Sequence, residues 1–417
     1  MKTRSRSRVG ARRQAVAGTI LASLVLGIAL SLPALAAAGG VGKWTDLSGD
    51  TGTNLTQVGL AATPDGLLHV GWVRDSATFG KTDLMHRTIT AAGAFGTKQT
   101  VQAGWSAISD PALLYDSAGA QIRIVFGGIR GAAPGDPYLG VTFVTSSDGG
   151  ASWALHPGLI DPPGSTGYAS PVSAMSAGGE LYTSWYGSSG VWVHRGLLPA
   201  TPASDYQEGL GSFGYYSNLA LEKGGALWLA WASNATGNSG LYAQMVDQTS
   251  GAPSGARYKL PSSTTKWGGS QQFSMMLGRV PATGLPKGDG VFLAYPSGYP
   301  STTTVRLWKI TAAKRSTMVL ASGGMSKGES AIAAGPDGRV WVVWSQRTSG
   351  REKVVVRCSN TSGTKFGPTK SYTIPSGFTV VWNLGAAVRN GKLDVLAHIG
   401  GGSKPESTWH IQFKPPT

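Results

Sequence analysis

Ala331–Gln346 reads AIAAGPDGRVWVVWSQ: a short apolar run, a Gly-Pro-Asp-Gly turn, and a second run rich in Val and Trp that closes just after Trp344. Two β-prone runs around a glycine-bearing turn predict a hairpin. The same object recurs at Ala61–Asp75, Ala112–Gly128, Val172–Gly187, Leu219–Ser233 and Ala386–Gly400, and with a longer turn at Met275–Gly298. Seven copies at roughly fifty-residue spacing predict a repeat array in which each unit buries its apolar face against its neighbours.

A third β-prone run follows every hairpin, from Thr82–Thr90 to Ser407–Phe413, and a weaker fourth run follows the first six. The last hairpin lacks a fourth run, whereas Gly42–Gly49 (GKWTDLSG) has no hairpin before it. The two gaps match. They predict an all-β, seven-bladed β-propeller of four-stranded blades closed by the N-terminal strand. A six-bladed propeller is the alternative if the irregular Met275–Gly298 copy is an excursion. Every second strand carries an aromatic or His at one register: Trp72, Phe126, Trp185, Trp231, Tyr295, Trp344 and His398. Mid-strand placement predicts that they wedge between blades rather than meet a ligand.

Lys2, Arg4, Arg6, Arg8, Arg12 and Arg13 precede an apolar run from Ala15 to Leu32, then Pro33 and Ala34-Leu35-Ala36. That order predicts a secretory signal peptide over residues 1–36, a single propeller domain over 37–417, and a secreted protein without stable membrane insertion after cleavage. The Sec and twin-arginine routes both stay open. Losing the leader lowers the formal net charge of +15 by six. The remaining Lys and Arg are scattered along the chain, which argues against nucleic acid as the partner and leaves attraction to acidic surface polymers. Cys358 is the sole cysteine, so stability must come from packing and ring closure. The six His show no metal-ligand spacing, and no phosphate loop or serine elbow occurs. Neither a metal nor a cofactor is expected.

Between the third and fourth runs of the second repeat lies Ser146-Ser147-Asp148-Gly149-Gly150-Ala151-Ser152-Trp153, the pattern S-x-D-x-G-x-x-W. Its Asp can accept backbone N–H groups inside a tight turn, Gly150 allows the bend, and Trp153 pins the loop. Ser359–Phe366 keeps the spacing, with Thr361 in place of the Asp and Phe366 in place of the Trp. On these residues the chain resembles the sialidase-like (BNR, Asp-box repeat) superfamily as a divergent member. The resemblance implies a propeller in which Ser146, Asp148, Gly150 and Trp153 are structural. It implies a protein that binds glycan or a cell-surface partner, or alternatively a sialidase-type glycoside hydrolase or a lyase on acidic sugars. Sialidases carry several Asp boxes, an Arg-Ile-Pro segment and six blades; this chain has one full box and no such segment before its first hairpin.

In an up-and-down blade the loops leaving strands two and four share one face, where binding residues can vary without disturbing the sheets. A large side chain beside a Gly recurs there: Trp105, Tyr168, Trp267 and Phe378 either present themselves to sugar rings or plug the gaps between splaying blades. Gln57, Asp110, Asn218, Gln272, Glu329 and Asn383 start the innermost strands and should ring the channel mouth. Arg74, Arg130 and Arg347 follow second strands and should offer guanidinium forks to a sugar carboxylate. For a hydrolase, Asp110 and Glu329 are the acids, with Tyr215 or Tyr216 as nucleophile.

Overall fold

The alternation of apolar and polar residues in each repeat resolves into four antiparallel strands. The structure is a computed structural model that describes residues 40–49, 57–131, 139–161, 173–177, 179–187, 190–197, 205–208, 214–233, 237, 239–261, 279–280, 282–298 and 301–415. It contains seven blades. Blade 1 comprises Gly59–Ala62, Leu68–Asp75, Thr82–Ile89 and Gln99–Trp105. Blade 2 comprises Ala112–Asp116 (preceded by Ala107–Ile108), Gln121–Ile129, Leu139–Ser146 and Ala154–Leu155. Blade 3 holds Ser173–Ala177, Glu180–Gly187, Gly190–Arg195 and Asp205–Glu208; blade 4 holds Gly214–Leu221, Leu227–Ser233, Gly240–Val246 and Pro253–Lys259. Blade 5 is Ala282–Gly284, Val291–Ser297, Thr304–Ile310 and Arg315–Ala321. Blade 6 is Lys327–Ala334, Val340–Gln346, Lys353–Cys358 and Lys370–Thr373. Blade 7 takes three strands from the C-terminus, Val380–Arg389, Lys392–Gly400 and Ser407–Phe413, and its outer strand, Thr45–Asp46, from the N-terminus. Each inner strand touches the next, and the seventh touches the first. The irregular copy is therefore a full blade, and the six-bladed alternative is excluded.

The register residues do what an apolar wedge must. Trp72, Phe126, Trp185, Trp231, Tyr295, Trp344 and His398 are all 0–2% exposed. Each aromatic removes roughly 150–250 Å² from water, about 4–6 kcal/mol gross at ~25 cal/mol per Å². Buried clusters span neighbouring blades: Trp72, Leu68 and Val70 of blade 1 pack with Leu396 of blade 7 and with Leu47 beside the closing strand.

Hydrogen bonds fasten the seam between first and last blades. Thr45 and Asp46 pair with His410 and Trp409, and the indole of Trp44 donates to Thr373 O of blade 6 at 2.9 Å. From blade 1, Arg87 Nη1 donates to Leu47 O at 2.7 Å while its Nε donates to Gly96 O at 2.8 Å. Arg357 repeats the device in blade 6, reaching Gly367 O at 2.8 Å and, on the preceding blade, Leu320 O. On the hairpin-turn side, Arg389 donates to Gly66 O (2.8 Å) and Ile89 O (2.6 Å) of blade 1 and to both carboxylate oxygens of Asp394 (2.6 and 3.1 Å). Asp394, 0% exposed, also accepts from His410 Nε2 (2.7 Å) and Gln412 (2.8 Å). Burial alone would raise its pKa; the bonds from His410 and Arg389, with their charge, hold it below the usual carboxylate value.

The Asp box organises a turn on that same side. Asp148 accepts from Ser146 Oγ (2.7 Å), Ser152 N (2.9 Å) and Ser152 Oγ (2.5 Å), and those bonds keep its pKa low. Gly150 has φ +89°, and a Cβ there would lie 2.6 Å from the His86 ring of blade 1. Trp153 meets the edge of the same ring at 4.9 Å. In Ser359–Phe366 the acceptor moves one place: Asn360 Oδ1, not the Thr361 hydroxyl, takes the amides of Thr364 (2.9 Å) and Lys365 (3.2 Å). Thr90, Asp247 and Thr311 hold the corresponding turns of blades 1, 4 and 5. One turn solution is thus met by several side chains, which is why only one copy reads as a motif.

Asp394→Asn leaves Arg389 buried without its counter-charge and should cost about 3–5 kcal/mol in denaturant unfolding at pH 7. A folded-state pKa below the unfolded one contributes stability above the ordinary carboxylate range and loses it as pH falls through the depressed value. The deficit of the variant should therefore shrink in strong acid; an equal deficit at all pH values would contradict the charge pairing.

Candidate functional site

Inner strands begin on the face where the loops from strands two and four emerge, and among the described residues four of them are bulged there. Tyr216 and Ser217 together oppose Trp231, between the pairs Tyr215–Ala232 and Asn218–Ala230. Gly328 and Glu329 oppose Ser345, and Trp382 is inserted between Val381 and Asn383. In blade 2, Ser109–Pro111 spans the step from the Ile108–Gly128 pair to the Ala112–Val125 pair. A bulge adds a residue to one strand and re-aims its side chain, and the bulged positions of these four blades include Asp110, Tyr216, Glu329 and Trp382.

Two separate groups form there. In the first, Arg279, just before blade 5, reaches across the ring. Its guanidinium donates to Pro111 O (2.6 Å) and Asp110 O (3.3 Å), and its backbone N–H donates to Gln57 Oε1 (2.9 Å). Asp110 accepts the Gln57 N–H. Burial lowers the Arg279 pKa to about 10 against the opposing effect of the Asp110 charge. Beneath this strut lies a chamber of about 260 Å³ lined by Gln57, Ser173, Asn218 and Ser330 among small and apolar residues. Ser173 Oγ donates to Asn218 Oδ1 at 2.7 Å, and Asn218 Nδ2 donates to Val280 O at 2.8 Å. A polar chamber of that size has room for water bridging such groups.

The second group belongs to blade 6. Glu329 is 9% exposed, and its pKa is pushed up to about 8, first by burial and then by the charge of Glu352. Glu352 lies in the loop after the second strand, also buried, and accepts the Val381 N–H of blade 7 at 3.0 Å. Its pKa is raised by burial, opposed by that N–H and by Arg347. Arg347 Nε stands 3.6 Å from Glu352 Oε1, with the Arg side chain 59% exposed. A carboxyl kept neutral near pH 7, coupled to a neighbouring carboxyl that pairs with an open guanidinium, can donate a proton or hydrogen bond to a ligand whose anionic group sits on the Arg.

Other expected residues lie elsewhere. Arg74 is bound to Asp83 through Nε (3.2 Å) and Nη2 (3.1 Å), and Asp83 also accepts the Gly104 N–H. It holds blade 1 together. Arg130 is exposed at the blade 1–2 seam, its carbonyl accepting the Ser106 N–H at 3.3 Å. Trp105 and Phe378 are each 2% exposed, so the ligand-stacking role is corrected to packing. Trp105 meets Phe126 edge-on at 5.1 Å and Phe378 meets Trp409 at 5.8 Å, filling the gaps where blades diverge. Tyr216 is half-buried with φ +56°. Tyr168, Trp267, Gln272 and the Tyr215 side chain lie outside the described residues. Among the described residues, the aromatic that stands fully in solvent on this face is Phe79, in the loop after the second strand of blade 1.

The three arginines and two acids thus divide among blades. Sequence reasoning missed Glu352, although it follows Arg347 in the loop Arg347–Glu352 and had the same claim to this face. It missed Arg279 because the Met275–Gly298 copy was read as strand from its start, whereas the inner strand begins at Ala282.

No protein-family model matches the sequence, and no curated protein matches it. Solved structures do share the frame. An ulvan lyase, a polysaccharide lyase solved bound to -[GlcA(1-4)Rha3S]-, aligns with a TM-score of 0.54 at 12% identity, covering 88% of this chain and 97% of that one. A chain of the mitotic checkpoint complex aligns at 0.51 with 12% identity over 95% and 99%. Hydrazine synthase of Kuenenia stuttgartiensis aligns at 0.51 with 10% identity over 85% and 94%. At such identities the likeness is one of fold, and three unrelated activities share it.

A folded-state pKa raised above the unfolded value gives stability below about 4.5 that is lost as pH rises toward 8. Glu329→Gln should therefore unfold at higher denaturant than the parent at pH 8, by about 2 kcal/mol or more, with the gain vanishing near pH 4. A gain independent of pH would show that Glu329 is an ordinary ionised carboxylate.

Proposed function

We propose that this is an exported glycan-directed propeller that binds an acidic carbohydrate on the loop face beside blade 6. One observation carries the reading: the exposed Arg347 guanidinium stands 3.6 Å from the buried carboxyl of Glu352, whose charge in turn acts on buried Glu329. A sugar carboxylate satisfies Arg347, and a protonated Glu329 donates to a neighbouring hydroxyl or ring oxygen. The glucuronate repeat held by the ulvan lyase supports the choice of a uronate-type ligand. The basic-apolar leader of residues 1–36 supports export. Within this class the Asp box at Ser146–Trp153 favours a sialidase-like relationship.

A second reading, cleavage of the same ligand, is favoured by the protonated state of Glu329. Glycosidic hydrolysis needs a proton donor beside the leaving oxygen, and Glu329 is the acid held in that form. Tyr216, with Tyr215, stands as the partner nucleophile in this scheme. Asp110 is a weaker choice than its sequence position suggested, because its carboxylate is engaged with Gln57 and the Arg279 strut.

Titration calorimetry with oligogalacturonate is the test. Arg347→Ala should weaken binding at least about tenfold, the worth of a charge-assisted hydrogen bond, and a reduced neutral oligosaccharide should bind both proteins equally weakly. Unchanged affinity in Arg347→Ala would overturn the site. Release of reducing ends that disappears in Glu329→Gln, with binding retained, would establish the second reading over simple binding.

A further inference from the structure

The charges that look dispersed along the chain are gathered by the fold. The outer strands of blades 4, 5 and 6 carry Arg257, Lys259, Arg315 and Lys370 and no acidic residue. The turns leading into the outer strands of blades 5 and 6 add Lys314 and Lys365. The acid nearest in the chain, Asp247, is engaged by the amides of Thr249 and Ser250, both at 2.8 Å, inside its own turn.

Protection of sheet edges does not account for this distribution. Lysines on edge strands hinder edge-to-edge pairing, and that need is the same in every blade. Yet the outer strands of blades 1 and 2, Gln99–Trp105 and Ala154–Leu155, carry no charge, and Lys98, in the turn before the first, spends its ammonium on Ser48 O at 3.0 Å. That of blade 3, Asp205–Glu208, carries two acids and no base, and that of blade 7 carries Asp46 alone. The cations occupy one arc of the rim.

They are also placed rather than merely present. The Arg315 guanidinium lies 4.6 Å from the centre of the Tyr258 ring, across the seam from blade 5 to blade 4, and Tyr258 in turn stacks on Trp228 at 6.1 Å. The Lys259 ammonium lies 5.5 Å from the Tyr242 ring. Cation–π contacts fix these heads against the strand while leaving them open to solvent. Lys259, Lys314, Arg315 and Lys365 are all exposed.

From this arrangement we infer that the outer rim of blades 4–6 is a docking surface for a linear acidic polysaccharide, distinct from the loop-face site. Charge complementarity specifies a polyanion. The choice of polysaccharide over nucleic acid rests on the function proposed above. The rim would hold an anionic polymer along its length, with affinity dominated by counterion release, while the loop face engages individual sugars.

Heparin–agarose chromatography and salt-dependent binding of soluble heparin test the rim. The variant Lys259→Gln, Lys314→Gln, Arg315→Gln, Lys365→Gln should elute at markedly lower salt, with a log–log salt slope shallower by about two to four. A control of equal charge, Lys43→Gln, Lys223→Gln, Lys287→Gln, Lys392→Gln, and the single variant Arg347→Ala should both elute with the parent. Equal shifts in the two fourfold variants would reduce the effect to net charge and overturn the rim. Loss confined to Arg347→Ala would assign heparin to the loop face and overturn it as well. Duplex DNA displacing bound protein at lower concentration than free heparin would overturn the choice of polysaccharide. Repeating the oligogalacturonate titration of Arg347→Ala in the background of the fourfold rim variant reads the loop face with the rim's cations removed, so failure of the rim leaves that result untouched, and the reverse holds.

Discussion

Everything on the loop face depends on how the ring is closed. A propeller blade cannot bury both faces of its sheet alone, so an open seam would expose the apolar surface that Trp72 and Leu396 now cover. The chain prevents this with a two-residue strand, Thr45–Asp46, supported by Trp44, Arg87 and the Asp394 cluster. The paired strand is short, so side chains carry much of the fastening: Arg87 of blade 1, Arg389 of blade 7 and Trp44, which reaches a carbonyl of blade 6. Because the seam is closed, the seven inner strands share one axis, and Arg279 can meet Asp110 and Gln57 across it.

The mouth then separates stability from chemistry. Arg279, Asp110 and Gln57 satisfy one another and brace the axis, whereas Glu329 and Glu352 crowd two carboxyls into a buried corner where Val381 N–H and Arg347 offset the charge of Glu352. A bulge at Gly328–Glu329 places the acid there. Buried like charge costs stability, and proteins tolerate that cost where a perturbed carboxyl has a task. The rim of blades 4–6 adds a second, longer-range recognition element whose cations lie outside that corner.

The hairpin period, the buried register from Trp72 to His398 and the missing fourth strand were legible because each follows from local pattern repeated seven times. Closure followed from Gly42–Gly49 having no other place to pair. What could not be read depends on non-local contacts. Whether Trp105 and Phe378 face solvent depends on how far adjacent blades splay, and both proved to be filler. The turn acceptor is Asn360 rather than Thr361 because an amide oxygen one place earlier reaches the amides of Thr364 and Lys365. Arg279 lay inside a run that imitates strand, and its partners are more than 160 residues away. The basic arc is invisible in sequence because the Lys and Arg that compose it belong to three repeats.

The protonation state of Glu329 is the claim on which the functional reading turns, and it can be observed directly. The side-chain carboxyl ¹³C resonance of Glu329, assigned by its disappearance in Glu329→Gln, should titrate with a midpoint near 8. A midpoint near the ordinary 4.5 would mean an ionised carboxylate at neutral pH, and blade 6 would then hold no acid for a carbohydrate to meet.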